Sequence, residues 1–386
     1  MSHGRVGFVA GLVVLALFGG FMTSAAAAPR KDMLYPDGTS YPRVIRLEHN
    51  GPANGRILAS VGTVDGSALG IIMESTDEGV TFQQVGSIAD PEGAGGRGMC
   101  CGTLFELPSP VGDMPAGTLL WAATVGYKVP EADRHTTQRL WISRDLGRTW
   151  SFRSDIATSP NQYNAWEPDL SVAADGQLVA HFSDESDKAN HDQKLVRVRS
   201  ADGLTWTDYQ ETVKNADFFV RPGMAGVRRL ADGTYFLVYE VCNLPDEPMC
   251  DIHFRTSADG WDYGDPTDLG TVVRTADGKY MRHTPTITVS PTGAIVLAAE
   301  MLVNADGAKA EGNGKTLLVN ESNGAGPWRE IPAPVEVPSP DNHGCMNFSP
   351  SLLASTDGTS VLEVATDLVD GVCHAFYATG PIPPVS

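Results

Sequence analysis

Two glutamates stand out in this chain by what surrounds them. Glu167 lies between Trp166 and Pro168, and an aromatic wall that withholds water raises a carboxyl pKa as a general acid requires. Glu240 ends the apolar run Tyr235-Phe236-Leu237-Val238-Tyr239, where an ionised carboxylate is costly to desolvate unless partners compensate it. Two carboxylates flanking one bond are the minimal equipment for glycoside hydrolysis. The two are far apart in sequence, so the fold has to bring them together.

The elements available for this are short β-rich runs recurring at about 60 residues, the spacing of a repeat architecture. The first strand of each unit reads Pro42 to Leu47, Gly102 to Leu107, Pro168 to Val172, Pro222 to Leu230, Pro285 to Val289 and Pro350 to Leu353. A turn and a more apolar second strand follow: Gly55 to Val61, Gly117 to Val125, Gly176 to Phe182, Gly233 to Glu240, Gly293 to Glu300 and Gly358 to Thr366. Uninterrupted apolar runs of this kind suit strands buried on both faces.

A second repeat closes several units. Ser143-Arg144-Asp145-Leu146-Gly147-Arg148-Thr149-Trp150 is its fullest form; Ser75 to Phe82 matches it, Ser200 to Trp206 is one residue shorter, and Ser257 to Trp261 is a fragment. Asp caps backbone N–H groups, Gly takes positive φ, and the aromatic packs beneath the turn. The motif resembles the Asp-box of sialidase-type propellers, with Asp145 and Trp150 structural. Six units of four strands predict an all-β, six-bladed propeller of antiparallel blades, which leaves few open sheet edges. The last unit has no clear fourth strand after Tyr377, and residues near Met33 to Tyr35 are expected to supply it.

In such a ring the polar residues beside the axis matter most. Arg43, Glu167, Arg221, Arg282 and His283 lie before or within the innermost strands; Asp65, Asp184, Glu185, Glu240 and Glu300 end the second strands. Arg43, Asp184, Arg221 and Arg282 are candidates for binding sugar hydroxyls, with structural ion pairing as the alternative. Tyr163 and Trp166 are candidates for a stacking platform, with core packing as the alternative. Lys194, inside a patterned strand, reads as an exposed face residue.

At these residues the chain resembles glycoside hydrolase family 93, the exo-α-1,5-L-arabinanases. The likeness rests on Tyr163-Asn164-Ala165-Trp166-Glu167-Pro168, His181 to Glu185, Gln193-Lys194-Leu195, Asp202 to Trp206, Arg221-Pro222-Gly223-Met224, Leu237 to Glu240 and Tyr41-Pro42-Arg43. It is best from Tyr163 to Glu240 and looser elsewhere. The resemblance implies a retaining, exo-acting hydrolase of arabinose-containing polysaccharide, with Glu167 as acid/base and Glu240 as nucleophile.

Composition agrees with this picture. The 386 residues carry 28 basic and 47 acidic groups, a net charge of −19, which argues against nucleic acid as a partner and against docking to an anionic membrane. Arg5, the apolar stretch Val9 to Phe21 and the small residues Ser24 to Ala28 read as an export signal over residues 1–28. Residues 29–386 then form one propeller domain, expected to be secreted and monomeric, without a membrane span. Export makes disulfides plausible among Cys100, Cys101, Cys242, Cys250, Cys345 and Cys373. Cys242 with Cys250 closes a hairpin and Cys345 with Cys373 staples the last unit; Cys100 and Cys101 are left to form a vicinal bridge or stay free. No Cys or His spacing fits zinc, so neither a metal nor a cofactor is expected.

Two rival readings remain. A sialidase would cluster Arg43, Arg255 and Arg282 about a carboxylate and use Tyr377 as nucleophile, but it leaves Trp166-Glu167-Pro168 without a role. A non-catalytic binding propeller would keep the turns and aromatics without two convergent carboxylates.

Overall fold

The computed structural model describes residues 1–4, 31–245, 250–341 and 344–384, so the expected export segment lies almost wholly outside the described residues. Six antiparallel sheets follow one another along the chain. The first four are Thr39–Arg46, Ile57–Thr63, Leu69–Ser75 and Gln83–Ala89; Met99–Glu106, Leu119–Val125, Thr137–Ser143 and Ser151–Thr158; Ala165–Val172, Leu178–Asp184, Lys194–Ser200 and Thr207–Val213; then Arg221–Arg229, Tyr235–Cys242, Asp251–Ser257 and Thr271–Val272. Blade five is Thr286–Val289, Ile295–Ala298, Thr316–Asn320 and Arg329–Pro332. Blade six is Ser351–Ala354, Ser360–Val369 and Val372–Pro381, and its outer strand is Asp32–Met33. Met33 pairs with Phe376 and Asp32 with Tyr377, as the missing fourth strand required. The innermost strands touch in order and the sixth returns to the first, so the ring is closed.

Burial explains why the second strands are so apolar. Every residue of Leu119–Val125 is buried, and Phe236 to Tyr239 are inaccessible to solvent because both faces of a middle strand meet neighbouring blades. Leu120, Ala122 and Leu140 of blade two pack with Leu170, Ala180 and Phe182 of blade three. Truncating one such side chain, for example Phe236→Ala, would cost about 3–5 kcal/mol.

The repeated turns form as their sequence implies. Thr81 and Thr149 each donate main-chain N–H at 2.9 Å and side-chain hydroxyl at 2.6 Å to Asp77 and Asp145. Gly79 and Gly147 donate N–H to Ser75 and Ser143 at 2.9 Å. The fragment at Ser257 makes the same turn, with Trp261 and Asp262 N–H bonded to Asp259. A turn the sequence did not reveal lies in blade five, where Asn320 accepts the N–H groups of Ser322 and Gly324 at 2.8 Å.

Three features depart from or complete the sequence reading. Tyr280–Arg282 pairs with Met301–Val303, and Arg282 with Asp251, adding two short strands beside blade four. Lys194 is not an exposed face residue: it is 5% exposed, and Asp187 at 3.1 Å and Glu211 at 2.8 Å neutralise it, which offsets the cost of burying an ammonium group. All six cysteines are bridged, as Cys100–Cys101, Cys242–Cys250 and Cys345–Cys373. Among the described residues no helix is long and apolar enough to cross a membrane.

Candidate active site

Four of the six innermost strands, those of blades one to four, break their ladder near the start, and in every blade one non-glycine residue there or just before the strand takes positive φ. The ladder skips from Ser40 to Arg43, Cys100 to Thr103, Trp166 to Asp169 and Gly223 to Gly226. The residues inside these bulges with φ of 54–62° are Tyr41 (55°), Cys101 (62°), Glu167 (54°) and Met224 (58°), and Thr284 (51°) and Ser349 (51°) hold the matching places in blades five and six. A bulge bends the strand and re-aims its side chain, and positive φ is unfavourable for a residue with a Cβ. The six bends lie at the starts of the innermost strands and neighbouring ones are in contact, as where Ser349 N–H donates to Thr284 Oγ1 at 2.8 Å and Arg43 reaches Ser349 O at 3.2 Å. Glu167 is therefore placed by a backbone device common to every blade.

Glu240 comes from the neighbouring blade's second strand, paired across the ladder with Gly223. Ser183 holds the corresponding position in blade three, paired with Trp166. Each receives the main-chain N–H of the next blade's bulge. Met224 N–H donates to Ser183 Oγ at 3.3 Å, and Thr284 N–H donates to Glu240 Oε2 at 2.7 Å. Ser183 Oγ in turn donates to Glu167 Oε2 at 2.9 Å. A chain of contacts thus runs from Glu167 through Ser183 to the Gly223-Met224 segment and across the ladder to Glu240. A Cβ at Gly223 would come within 2.5 Å of Gln193 Nε2, so a larger residue there displaces the amide that bonds Pro222 O and Arg221.

The electrostatics of the site act on Glu167. Burial, and secondarily the charge of Glu240, push the Glu167 carboxyl up to about 8, while the Ser183 hydrogen bond and Arg221 work against the rise. Glu167 is thereby a protonated acid near neutral pH, beside a second carboxylate held by a main-chain N–H. His283 Nδ1 lies 3.6 Å from the same Glu240 oxygen. Such a pair can protonate a leaving oxygen with one group and present the other to the opposite side of the bond.

The other predicted site residues are distributed around this pair. Arg221 binds Glu185 Oε1 at 2.7 Å and Gln193 Oε1 at 2.6 Å and also pairs with Asp192, so it braces the blade three loop beside Glu167. Arg43 donates to Ser349 O at 3.2 Å and Ser349 Oγ at 3.0 Å and stacks on Tyr41 at 4.1 Å, tying blade one to blade six at the mouth. Trp166 packs against Tyr127 at 5.5 Å, and Lys188 sits over Tyr163 at 5.4 Å. Asp184 is 5% exposed; it accepts the Tyr209 hydroxyl and the Ser186 N–H, contacts that lie with blade three rather than with the two glutamates. Arg282 precedes His283 and pairs in the ladder with Asp251 and Met301. Thr284 and Ser183 were not singled out in the sequence, since their contribution is a main-chain N–H and a hydroxyl with no motif of their own.

The sialidase arrangement is not assembled. Tyr377 donates its hydroxyl to Val80 O at 3.3 Å, in the turn of blade one. Arg255 is 7% exposed and is bonded to the carbonyls of Thr212 and Tyr263. Metal-type donors do converge at Glu240, Cys242, Cys250 and His283, within 4.8 Å of one another, but the two sulfurs are joined to each other. A second group, Asp187, His191 and Glu211, has its carboxylates already paired with Lys194 and Lys214.

No family model matches the chain, and no curated protein matches it. Solved structures do. A glycoside hydrolase family 93 α-L-arabinofuranosidase of Fusarium graminearum in complex with arabinobiose superimposes with a TM-score of 0.74 at 22% identity, over 91% of this chain and 97% of that one. A Penicillium chrysogenum α-L-arabinanase complexed with arabinobiose gives 0.71 at 25% identity, over 92% and 96%. A Dyadobacter fermentans protein of unknown function gives 0.61 at 15% identity, over 90% and 97%. The chain shares its overall fold with these structures.

Proposed function

We propose that this chain is a glycoside hydrolase acting on an arabinose-containing polysaccharide or oligosaccharide, with Glu167 as acid/base and Glu240 as nucleophile. The observation that carries the reading is the asymmetry of the pair. One carboxyl is kept protonated up to about pH 8 by burial and by its neighbour, and the other is fixed by a 2.7 Å main-chain hydrogen bond from the next blade. The arabinobiose complexes of the two fungal enzymes with this fold support arabinose as the sugar.

In the first step Glu167 protonates the departing glycosidic oxygen while Glu240 attacks the anomeric carbon and forms a glycosyl ester. In the second, Glu167, now ionised, removes a proton from water, which displaces Glu240 and restores both groups. Attack from opposite faces twice returns the original anomeric configuration. Tyr163 and Trp166 are assigned to a stacking platform beside Glu167, and Arg43, Arg221 and Arg282 to holding sugar hydroxyls, directly or through the residues they brace, whereas Asp184 is assigned to holding blade three through Tyr209 and Ser186. Exo action and secretion belong to the same proposal. The three disulfides support an oxidising destination.

The test is a time course by proton NMR with linear arabinan, arabino-oligosaccharides and a sialoside. Release of a short arabinose product whose anomeric proton first appears in the substrate's configuration is the expected result. First appearance of the inverted anomer would overturn the nucleophile assignment, and release of sialic acid would overturn the substrate class.

A further inference from the structure

The Cys100–Cys101 bridge has no evident use in holding the fold. A disulfide stabilises chiefly by closing a loop in the unfolded chain, and the effect grows with loop length. The other two bridges close separations of 8 and 28 residues; this one joins neighbours in sequence and closes no loop. Its location is more informative. Cys101 stands in the bulge of blade two where Glu167 stands in blade three, with φ of 62° against 54°.

The two bulges are locked side by side. Thr124, the ladder partner of Cys100, donates Oγ1 to Ala165 O at 3.4 Å, two residues before Glu167. Thr103, two residues after Cys101, donates Oγ1 to Asp169 Oδ1 at 3.2 Å, two residues after Glu167. Clamped at both ends, Cys101 is the lateral neighbour of Glu167 at the axial mouth. Both cysteines remain partly exposed there.

We infer that the Cys100–Cys101 disulfide is a sugar-contacting wall of the site, gripping the apolar C–H face of the terminal sugar unit beside Glu167. This rests on the glycosidase reading above. Bridged sulfur is suited to such a contact because it is polarizable and lacks a strong hydrogen-bond donor, so it meets C–H groups without competing for the sugar's hydroxyls. A cyclised pair also has no free rotamers to lose on binding, so it is preorganised.

The test compares wild type with a Cys100→Ala/Cys101→Gly double variant, glycine being chosen to tolerate the positive φ. Calorimetric titration with arabinobiose and a panel of other mono- and disaccharides is the primary measurement. The expected result is about tenfold weaker binding of whichever sugar wild type binds, with KM raised and kcat within about twofold. Phosphine reduction of wild type should reproduce the loss, with the opened pair identified by alkylation and mass mapping, and reoxidation should reverse it. If the double variant does not fold, this reduction series decides the matter. Equal affinity in both proteins, or a wild type that binds none of these sugars, would overturn the inference. A wild type that binds a sugar without cleaving arabinan would overturn the function proposed above and leave affinity to decide the role of the disulfide.

Discussion

Thr284 of blade five donates its main-chain N–H to Glu240 of blade four at 2.7 Å. It does so from a backbone with φ of 51°, so the hydrogen bond depends on a bend rather than on a side chain. The same bend in blade four gives Met224 N–H to Ser183, and Ser183 is bonded to Glu167. One repeated inter-blade contact therefore organises both glutamates.

Replacing either glutamate by its amide should remove chemistry without removing the fold. Glu167→Gln and Glu240→Gln are each expected to lower kcat by about 10³-fold or more, with unchanged far-ultraviolet circular dichroism. Turnover near the wild-type level in either variant would end the assignment.

The like charge of Glu240 is the second cause of the raised Glu167 pKa. In Glu240→Gln that charge is gone, so Glu167 should titrate below about 8, measured by carbon NMR of labelled glutamate. No movement would mean that the two groups are too far apart to share one bond.

For wild type, loss of the acidic proton as pH passes about 8 should produce an alkaline fall in kcat/KM. Ser183 donates to the Glu167 carboxylate and favours its ionised form. Ser183→Ala should therefore shift the alkaline limb upward and lower kcat by about tenfold. A downward shift in the pH–rate profile would contradict the assigned hydrogen bond.

Gly223→Ala places a Cβ 2.5 Å from Gln193 Nε2. Gln193 also holds Arg221, and Gly223 pairs with Glu240, so both sides of the site move together. We expect a fall in kcat of at least about tenfold with a small change in melting temperature. Wild-type kinetics would show that this close approach is slack.

Glu363 tests electrostatics away from the mouth. It is 1% exposed, accepts Val335 N–H at 2.8 Å, and burial pushes it up to about 8. Between its unfolded value near 4.5 and about 8 the folded state holds a proton that the unfolded state has released, so stability falls as pH rises across that window. Glu363→Gln should flatten this dependence, gaining on the order of a few kcal/mol relative to wild type at about pH 8. Parallel denaturation curves at about pH 5 and about pH 8 would contradict it.

Much of the architecture was legible because it is periodic. The apolar second strands and the Ser-Asp-Gly-Thr turns repeat visibly, and Trp166-Glu167-Pro168 marked one glutamate by its neighbours. The bulges were not legible, since Tyr41, Cys101, Glu167, Met224, Thr284 and Ser349 share a backbone angle and no side-chain chemistry. Lys194 was misread because alternation along one strand cannot show that Asp187 and Glu211 fold over it. The blade five turn escaped because Asn320 performs there what Ser and Asp perform elsewhere.

The pairing of Asp32–Met33 with Val372–Pro381 has a consequence for how the protein is made. The outer strand of the last blade is Asp32–Met33, and its other three strands lie between Ser351 and Pro381. Closure therefore waits until Val372–Pro381 has been made. Until then, or after proteolytic trimming past Met33, the hydrogen-bonding edge at Phe376 and Tyr377 stays open and invites pairing with another chain. Yield and freedom from aggregation should thus depend on two residues remote from the chemistry.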